Sequence, residues 1–235
     1  MTRPRALLFD LDGTLVDSRR DIADACNAAL AAHDRPALPI EAILPMVGDG
    51  ARALVARALA ASEALPFGPP RTEALVDDVF AAFKARYLAH PCVHSVLLPG
   101  AREVLEEARR DALPCALVTN KPRDVTLALL AALGIADAFA AVWGGGDGPL
   151  KPAPDSVLAT IARLGVSARD AWMIGDGPQD IGAGKGAGCF TVAVPGIAER
   201  ERLLASGPDL VCESLHDLRA ELDRLMGRPA SHRSP

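Results

Sequence analysis

Short apolar runs of strand length recur along the chain with helix-length stretches between them, and this alternation restricts the fold more than any other feature. Arg5 to Leu11 reads as a short buried strand, with Ala6-Leu7-Leu8-Phe9 apolar and Gly13 stopping it. Similar runs follow at Cys115 to Thr119, Ala140 to Trp143, Ala171 to Ile174 and Phe190 to Val194. Between them, Ala101 to Arg110, Asp124 to Leu133 and Asp155 to Leu164 carry apolar residues at helical spacing, such as Val104, Leu105 and Ala108, or Val157, Leu158 and Ile161. Strands alternating with such helices imply βαβ units and a mainly parallel sheet. A site in such a sheet is expected at the carboxyl ends of the strands, near a topological switch point.

From about Ser18 to His90 the rhythm breaks and the chain reads as all helix. Ser18, with Asp21 three residues on, resembles a capping box opening a helix whose Ile22, Ala25, Cys26, Ala29 and Leu30 share a face. Leu75, Val76, Val79, Phe80, Phe83 and Tyr87 form a second stripe, on a long helix from about Thr72. Leu65-Pro66-Phe67-Gly68-Pro69-Pro70 is expected to be a loop, and the tail from Gly227 a frayed end. The chain has 235 residues, 50% hydrophobic but only 4% aromatic, which suits small-residue helix packing and leaves room for a second, smaller domain. The predicted division is a discontinuous core, 1–16 and 95–235, around an inserted helical module, 17–94.

Charge and cysteines narrow the partners. With 25 Lys+Arg against 30 Asp+Glu the net charge is −5, so no overall cationic field attracts nucleic acid or an anionic membrane. No run approaches the roughly 18 apolar residues of a membrane span, and Asp10 cuts the N-terminal apolar run too early for a signal segment. Five scattered cysteines without a CxxC pair suit reduced thiols, and a cytoplasmic location is expected. His90, Cys92 and His94 lie close together, but half of a zinc pattern is missing, and a turn beginning at Pro91 is the simpler reading.

The chemistry gathers at strand ends. Asp10-Leu11-Asp12-Gly13-Thr14 closes the first strand, and residues i and i+2 on an extended chain project to one side. Two adjacent carboxylates repel, so either a hard divalent ion such as Mg²⁺ joins them or one stays protonated as an acid. Asp176 and Asp180, in Gly175-Asp176-Gly177-Pro178-Gln179-Asp180, follow another strand and can join Asp10 around a metal. So many carboxylates need a compensating cation, and Lys151 is placed to supply one. Thr119-Asn120 offers a hydroxyl and amides to an anion near a helix start.

In order along the chain, Asp10-Leu11-Asp12-Gly13-Thr14-Leu15, Thr119-Asn120, Lys151-Pro152-x-Pro154 and Gly175-Asp176-x-x-x-Asp180 resemble the four motifs of the haloacid dehalogenase-like hydrolases. The resemblance extends to about Leu218 and implies an α/β fold: a Rossmann-like parallel-sheet core with an inserted C1-type, four-helix cap. It implies Asp10 as a nucleophile attacking phosphorus to give an aspartyl-phosphate, and Asp12 as general acid and then base. It assigns Mg²⁺ to the Asp10 carboxylate, the Asp12 carbonyl and Asp176, with Asp180 in or beside the shell. Thr119 and Asn120 would hold the phosphoryl group, and Lys151 would neutralise nucleophile and phosphate. Gly177 departs from relatives that often carry Ser there.

Substrate choice is expected in the inserted module. Met46-Val47-Gly48-Asp49-Gly50-Ala51-Arg52, continuing to Leu59, is similar to the cap segment of bacterial phosphoglycolate phosphatases. Gly48 and Gly50 would permit a tight loop over the site. Arg52 would grip a substrate carboxylate, the competing reading for Arg52 and Arg57 being solvent-facing helix arginines. The expected partner is a small phosphorylated metabolite, 2-phosphoglycolate first, acted on by a monomer or homodimer. Other readings are a pyrophosphatase, another small phosphate-ester hydrolase, a β-phosphoglucomutase-type mutase, or an inactive binding protein on the same scaffold. Gly182 to Gly186 fails as a nucleotide loop because Gln179 stands where the first glycine belongs. Gly144 to Gly148 reads as a flexible loop on the site's rim.

Overall fold

A computed structural model describes residues 3–63 and 72–228. The expected loop at Leu65–Pro70 and the tail beyond Arg228 lie outside the described residues. Six strands, β1 (Ala6–Phe9), β4 (Cys115–Pro122), β5 (Phe139–Gly145), β6 (Ala171–Gly175), β7 (Phe190–Ala193) and β8 (Leu210–Val211), form one parallel sheet in the order β5-β4-β1-β6-β7-β8. Every residue of β1 is buried, and its side chains divide by strand parity. Leu7 and Phe9 pack with Val104 and Leu105 of α5 (Ala101–Arg110), Leu129 of α6 (Arg123–Ala132) and Leu218 of α10 (Leu215–Leu225). Ala6 and Leu8 pack on the other face with Val157 and Ile161 of α7 (Asp155–Leu164) and Ala183 of α8 (Pro178–Ala187). Burying each Leu or Phe contributes roughly 1.5–3 kcal/mol, so the central strand is held from both sides. The short α9 (Arg200–Ala205) adds Leu203 against Ile181 and Ala193.

After β1 the chain passes through a two-residue strand, β2 (Val16–Asp17), into α1 (Arg19–Ala31), α2 (Ile40–Ile43), α3 (Ala51–Glu63) and α4 (Glu73–Ala89). It returns through β3 (Val96–Leu97), which pairs antiparallel with β2. Ile22, Leu30, Leu59, Val76 and Phe83 belong to a hydrophobic cluster of their own, which Val125 of α6 joins from the core. Thr72 caps α4 by accepting from the Leu75 amide at 3.1 Å. None of the described helices is long and apolar enough to cross a membrane.

The expected capping box at α1 is not formed. The Ser18 hydroxyl donates to Asp12 Oδ1 at 2.5 Å, and Asp21 turns away from its own helix start. Asp21 accepts instead from the amides of Val93, His94 and Ser95 and from the Ser95 hydroxyl at 2.6 Å. Burial works against its charge, but these donors outweigh it and hold Asp21 below the usual carboxylate range. One carboxylate thus ties the entry of the inserted segment to its exit. His94 reaches toward Asp24 and the Cys92 thiol toward the Ser95 carbonyl, so among the described residues His94 clusters with Asp21 and Asp24 rather than with His90 and Cys92. The rim glycines are also less free than expected: β5 runs through Gly144 and Gly145, and the Gly144 amide donates to Asp147. Gly182 to Gly186 form the interior of α8, where Gly184 lies against Met173 and Thr191.

Candidate active site

The chain leaves β1 for β4 and β5 on one side, then crosses back to β6 on the other, so the switch point lies at β1. Asp10 directly follows β1, Thr119, Asn120 and Lys121 lie in the last part of β4, and Asp176 follows β6. Gly13 makes the turn after β1 with φ +88°, and a Cβ there would press on the Asp176 carboxylate and lie 2.9 Å from the Ile197 amide. Only glycine lets the strand ends approach this closely.

Lys151 sits at the centre. Its Nζ donates to Asp10 Oδ1 at 2.8 Å, to Asp180 Oδ1 at 2.6 Å and to the Val118 carbonyl at 2.6 Å. Burial alone would lower its pKa, but the Asp10 and Asp180 carboxylates outweigh this and hold it above the ordinary lysine range. Asp180 also accepts from the Gly177 amide at 2.9 Å, capping α8 from its first turn. Asp176 accepts from neutral donors, the Thr14 hydroxyl at 3.2 Å and the Ile197 and Ala198 amides at 2.6 and 3.3 Å. Burial, with repulsion from Asp10 and Asp180, pushes Asp176 up to about 8. Asp10 is pushed up to about 6 by burial, against the pull of Lys151 and with added repulsion from Asp180 and Asp12.

Carboxylate oxygens of Asp10, Asp176 and Asp180 all lie within 4.8 Å of one another. Three buried carboxylates against one ammonium leave an excess of negative charge, and every donor is a hard oxygen. The set fits a hard divalent cation. The Asp12 carboxylate lies outside this group: Lys121 Nζ donates to its two oxygens at 3.0 and 3.2 Å, beside the bond from Ser18. Lys121 also donates to the Tyr87 hydroxyl of α4 at 2.9 Å and rests 4.1 Å from the centre of the Tyr87 ring. Burial opposes its charge, but Asp12 and Tyr87 hold the Lys121 pKa above its usual value.

Two expectations change here. Asn120 does not offer its side chain to an anion: Oδ1 accepts from the Lys151 amide at 2.8 Å, and Nδ2 donates to the carbonyls of Lys151 at 2.9 Å and Gly48 at 2.8 Å. Both donors of that amide group, and one acceptor position of its oxygen, are engaged in holding Lys151 and the loop above it. Arg52 is not brought to the site at all. Its guanidinium donates to Glu73 and Asp77 on α4, half exposed, while Arg57 holds the Met46 carbonyl and Asp49. The solvent-facing reading is the correct one for Arg52, because α3 turns that face toward α4 rather than the strand ends. Gly48 and Gly50 do lie over the site with φ of +120° and +90°, and Gln179 Nε2 fastens the intervening Asp49 at 2.7 Å. Thr119 is buried on the pocket wall, its Oγ1 accepting from the Lys121 amide at 3.3 Å.

Lys121, Tyr87 and Ser18 were not anticipated at the site. For Lys121 a signal existed: it lies two residues beyond Thr119 on the same strand. Tyr87 carried none, since its stripe of helical spacing described only its burial.

This geometry gathers a carboxylate group and two lysines at the carboxyl ends of a parallel sheet, and the comparisons with known proteins give the class of protein. A family model of haloacid dehalogenase-like hydrolases matches residues 4–188. The chain belongs to that family. Within it, the chain is a phosphatase-type enzyme, similar over nearly its whole length to proteins named phosphoglycolate phosphatase. That of Rhodospirillum rubrum is 36% identical over 99% of each chain, and that of Escherichia coli K12 35% identical over 91% of this chain and 90% of its own. The crystal structure of a predicted phosphoglycolate phosphatase from Haemophilus somnus 129pt superposes with a TM-score of 0.86 at 30% identity, covering 93% of this chain and 98% of that one.

Proposed function

We propose that the protein is a Mg²⁺-dependent phosphomonoester hydrolase working through an aspartyl-phosphate, with 2-phosphoglycolate as substrate and glycolate and phosphate as products. One observation carries the mechanism: two aspartates two residues apart are held in different surroundings. Asp10 Oδ1 is fixed by Lys151 inside the carboxylate group, whereas the Asp12 carboxylate stands outside it, toward the helices of the inserted segment. Asp10 is placed to attack phosphorus, forming a P–O bond while the bond to the ester oxygen breaks. Asp12 is placed to give that oxygen a proton, then to take one from the water that hydrolyses the acyl-phosphate and restores Asp10. Thr119 would donate its hydroxyl to a phosphoryl oxygen. A Mg²⁺ ion held by Asp10, Asp176 and Asp180, with the Asp12 carbonyl, would offset their charge and that of the phosphoryl group.

Residues 17–94 act in this reading as a cap whose Gly48–Gly50 loop keeps water from the reacting atoms. The relatives named phosphoglycolate phosphatase support the substrate. The test is phosphate release from a panel of 2-phosphoglycolate, pyrophosphate, sugar phosphates and nucleotides, with Mg²⁺ and with chelator. Highest kcat/KM is expected for 2-phosphoglycolate, with activity lost in chelator. A better ester elsewhere in the panel removes the substrate, and Mg²⁺-independent turnover removes the metal.

A further inference from the structure

The space between the strand ends and the inserted helices has chemically unequal walls. Ile22, Val47, Leu54 and Phe83 line it from above with apolar side chains. Among the described residues two cationic side chains line it, and they occupy different places. Lys151 is surrounded by Asp10, Asp180 and the Val118 carbonyl, at the carboxylate group. Lys121 stands beyond Asp12, held by that carboxylate and by the Tyr87 hydroxyl and ring. The arginines of α3 are bound elsewhere.

We propose that Lys121 is the specificity-determining residue of this site, binding a carboxylate carried by the leaving group and so selecting small anionic phosphate esters over neutral ones. The proposal rests on the phosphomonoesterase reading above and sharpens its substrate class. A leaving oxygen must come within about 2.6–3.2 Å of the Asp12 carboxylate to receive its proton. Lys121 Nζ already lies 3.0 Å from that carboxylate, so an anionic group on the carbon next to the ester carbon falls within its reach. The ammonium is buried, which strengthens its attraction for an anion, and its position is fixed beforehand by Tyr87. The apolar wall supplies no side-chain partner for the hydroxyls of a sugar or polyol, which would be left unpaired.

The test compares 2-phosphoglycolate with 2-hydroxyethyl phosphate, which replaces the carboxylate with a hydroxymethyl group, on the full chain with Mg²⁺. Wild type is expected to prefer the carboxylate ester by roughly a hundredfold in kcat/KM, and Lys121→Met to cut that ratio at least about tenfold. Lys121→Arg, which keeps the charge, is expected to retain most of the preference. Glycolate, as an inhibitor of p-nitrophenyl phosphate turnover, is expected to weaken at least about tenfold in Lys121→Met while inorganic phosphate changes less. Should Lys121→Met fail to fold, Tyr87→Phe removes the hydroxyl that places the ammonium and is expected to lower the ratio severalfold. A wild type indifferent to the carboxylate, or a folded Lys121→Met or Tyr87→Phe with the wild-type ratio, overturns the assignment and leaves the phosphatase intact. A wild type that releases phosphate from none of the three esters overturns the phosphomonoesterase reading, and the assignment with it.

Discussion

Asn120→Ala separates a residue that grips phosphate from one that positions Lys151. The substitution removes three hydrogen bonds, two to the Lys151 backbone and one to the Gly48 carbonyl. Gly48 is exposed, so its carbonyl can turn to water, but Lys151 is buried and its amide and carbonyl lose their partner in the dry interior. Two orphaned groups at about 1–3 kcal/mol each give an expected loss of about 3 kcal/mol. In a chain of this length that lowers Tm by about 6–12 °C, and it should move the urea midpoint without changing the slope. Because the backbone carrying the Lys151 ammonium is released at the same time, kcat should fall roughly tenfold to a hundredfold. Inhibition by inorganic phosphate should change far less, since the side chain has no donor left for it. A variant of wild-type stability whose affinity for phosphate drops tenfold would refute the reasoning and return Asn120 to the anion site.

Asp10→Asn is expected to abolish Mg²⁺-dependent phosphate release, and Asp12→Asn to reduce it severely with ester substrates; near-wild-type turnover in either removes the role given to that residue. The stabilisation conferred by saturating Mg²⁺, read as the Tm difference from chelator-treated protein, should grow between pH 5 and pH 8.5. In the metal-free fold Asp10 and Asp176 are raised to about 6 and about 8, so the folded chain holds more protons than the unfolded one above the usual carboxylate range. Stability without metal is therefore lost as pH rises through those values, and a bound cation removes that loss; an equal Mg²⁺ increment at both pH values would contradict the three-carboxylate site. Arg52→Ala should leave KM for 2-phosphoglycolate within about twofold of wild type, because its ion pairs to Glu73 and Asp77 are exposed and away from the pocket. A tenfold rise in KM would put Arg52 back among the substrate-binding residues.

What was legible in the sequence was local or periodic. Strand parity in Ala6-Leu7-Leu8-Phe9 and helical spacing in Val104-Leu105-Ala108 foretell which face is buried, because burial of one face is what selects those residues. The polar residues at the ends of β1, β4 and β6 therefore mark one rim, since parallel strands all present their carboxyl ends to the same side. Tertiary structure alone decided which rim residue meets which partner. Lys121 reaches Tyr87 across 34 positions and Asp12 across 109, and Asp21 leaves an expected cap for amides more than 70 residues away. The turn of α3 that carries Arg52 to Glu73 and Asp77 depends on how two helices pack, which spacing along one helix does not encode. Local pattern determines which face of an element is buried; the partner of a polar group is settled by competition among all donors and acceptors that packing brings together, and that competition exists only in the folded chain.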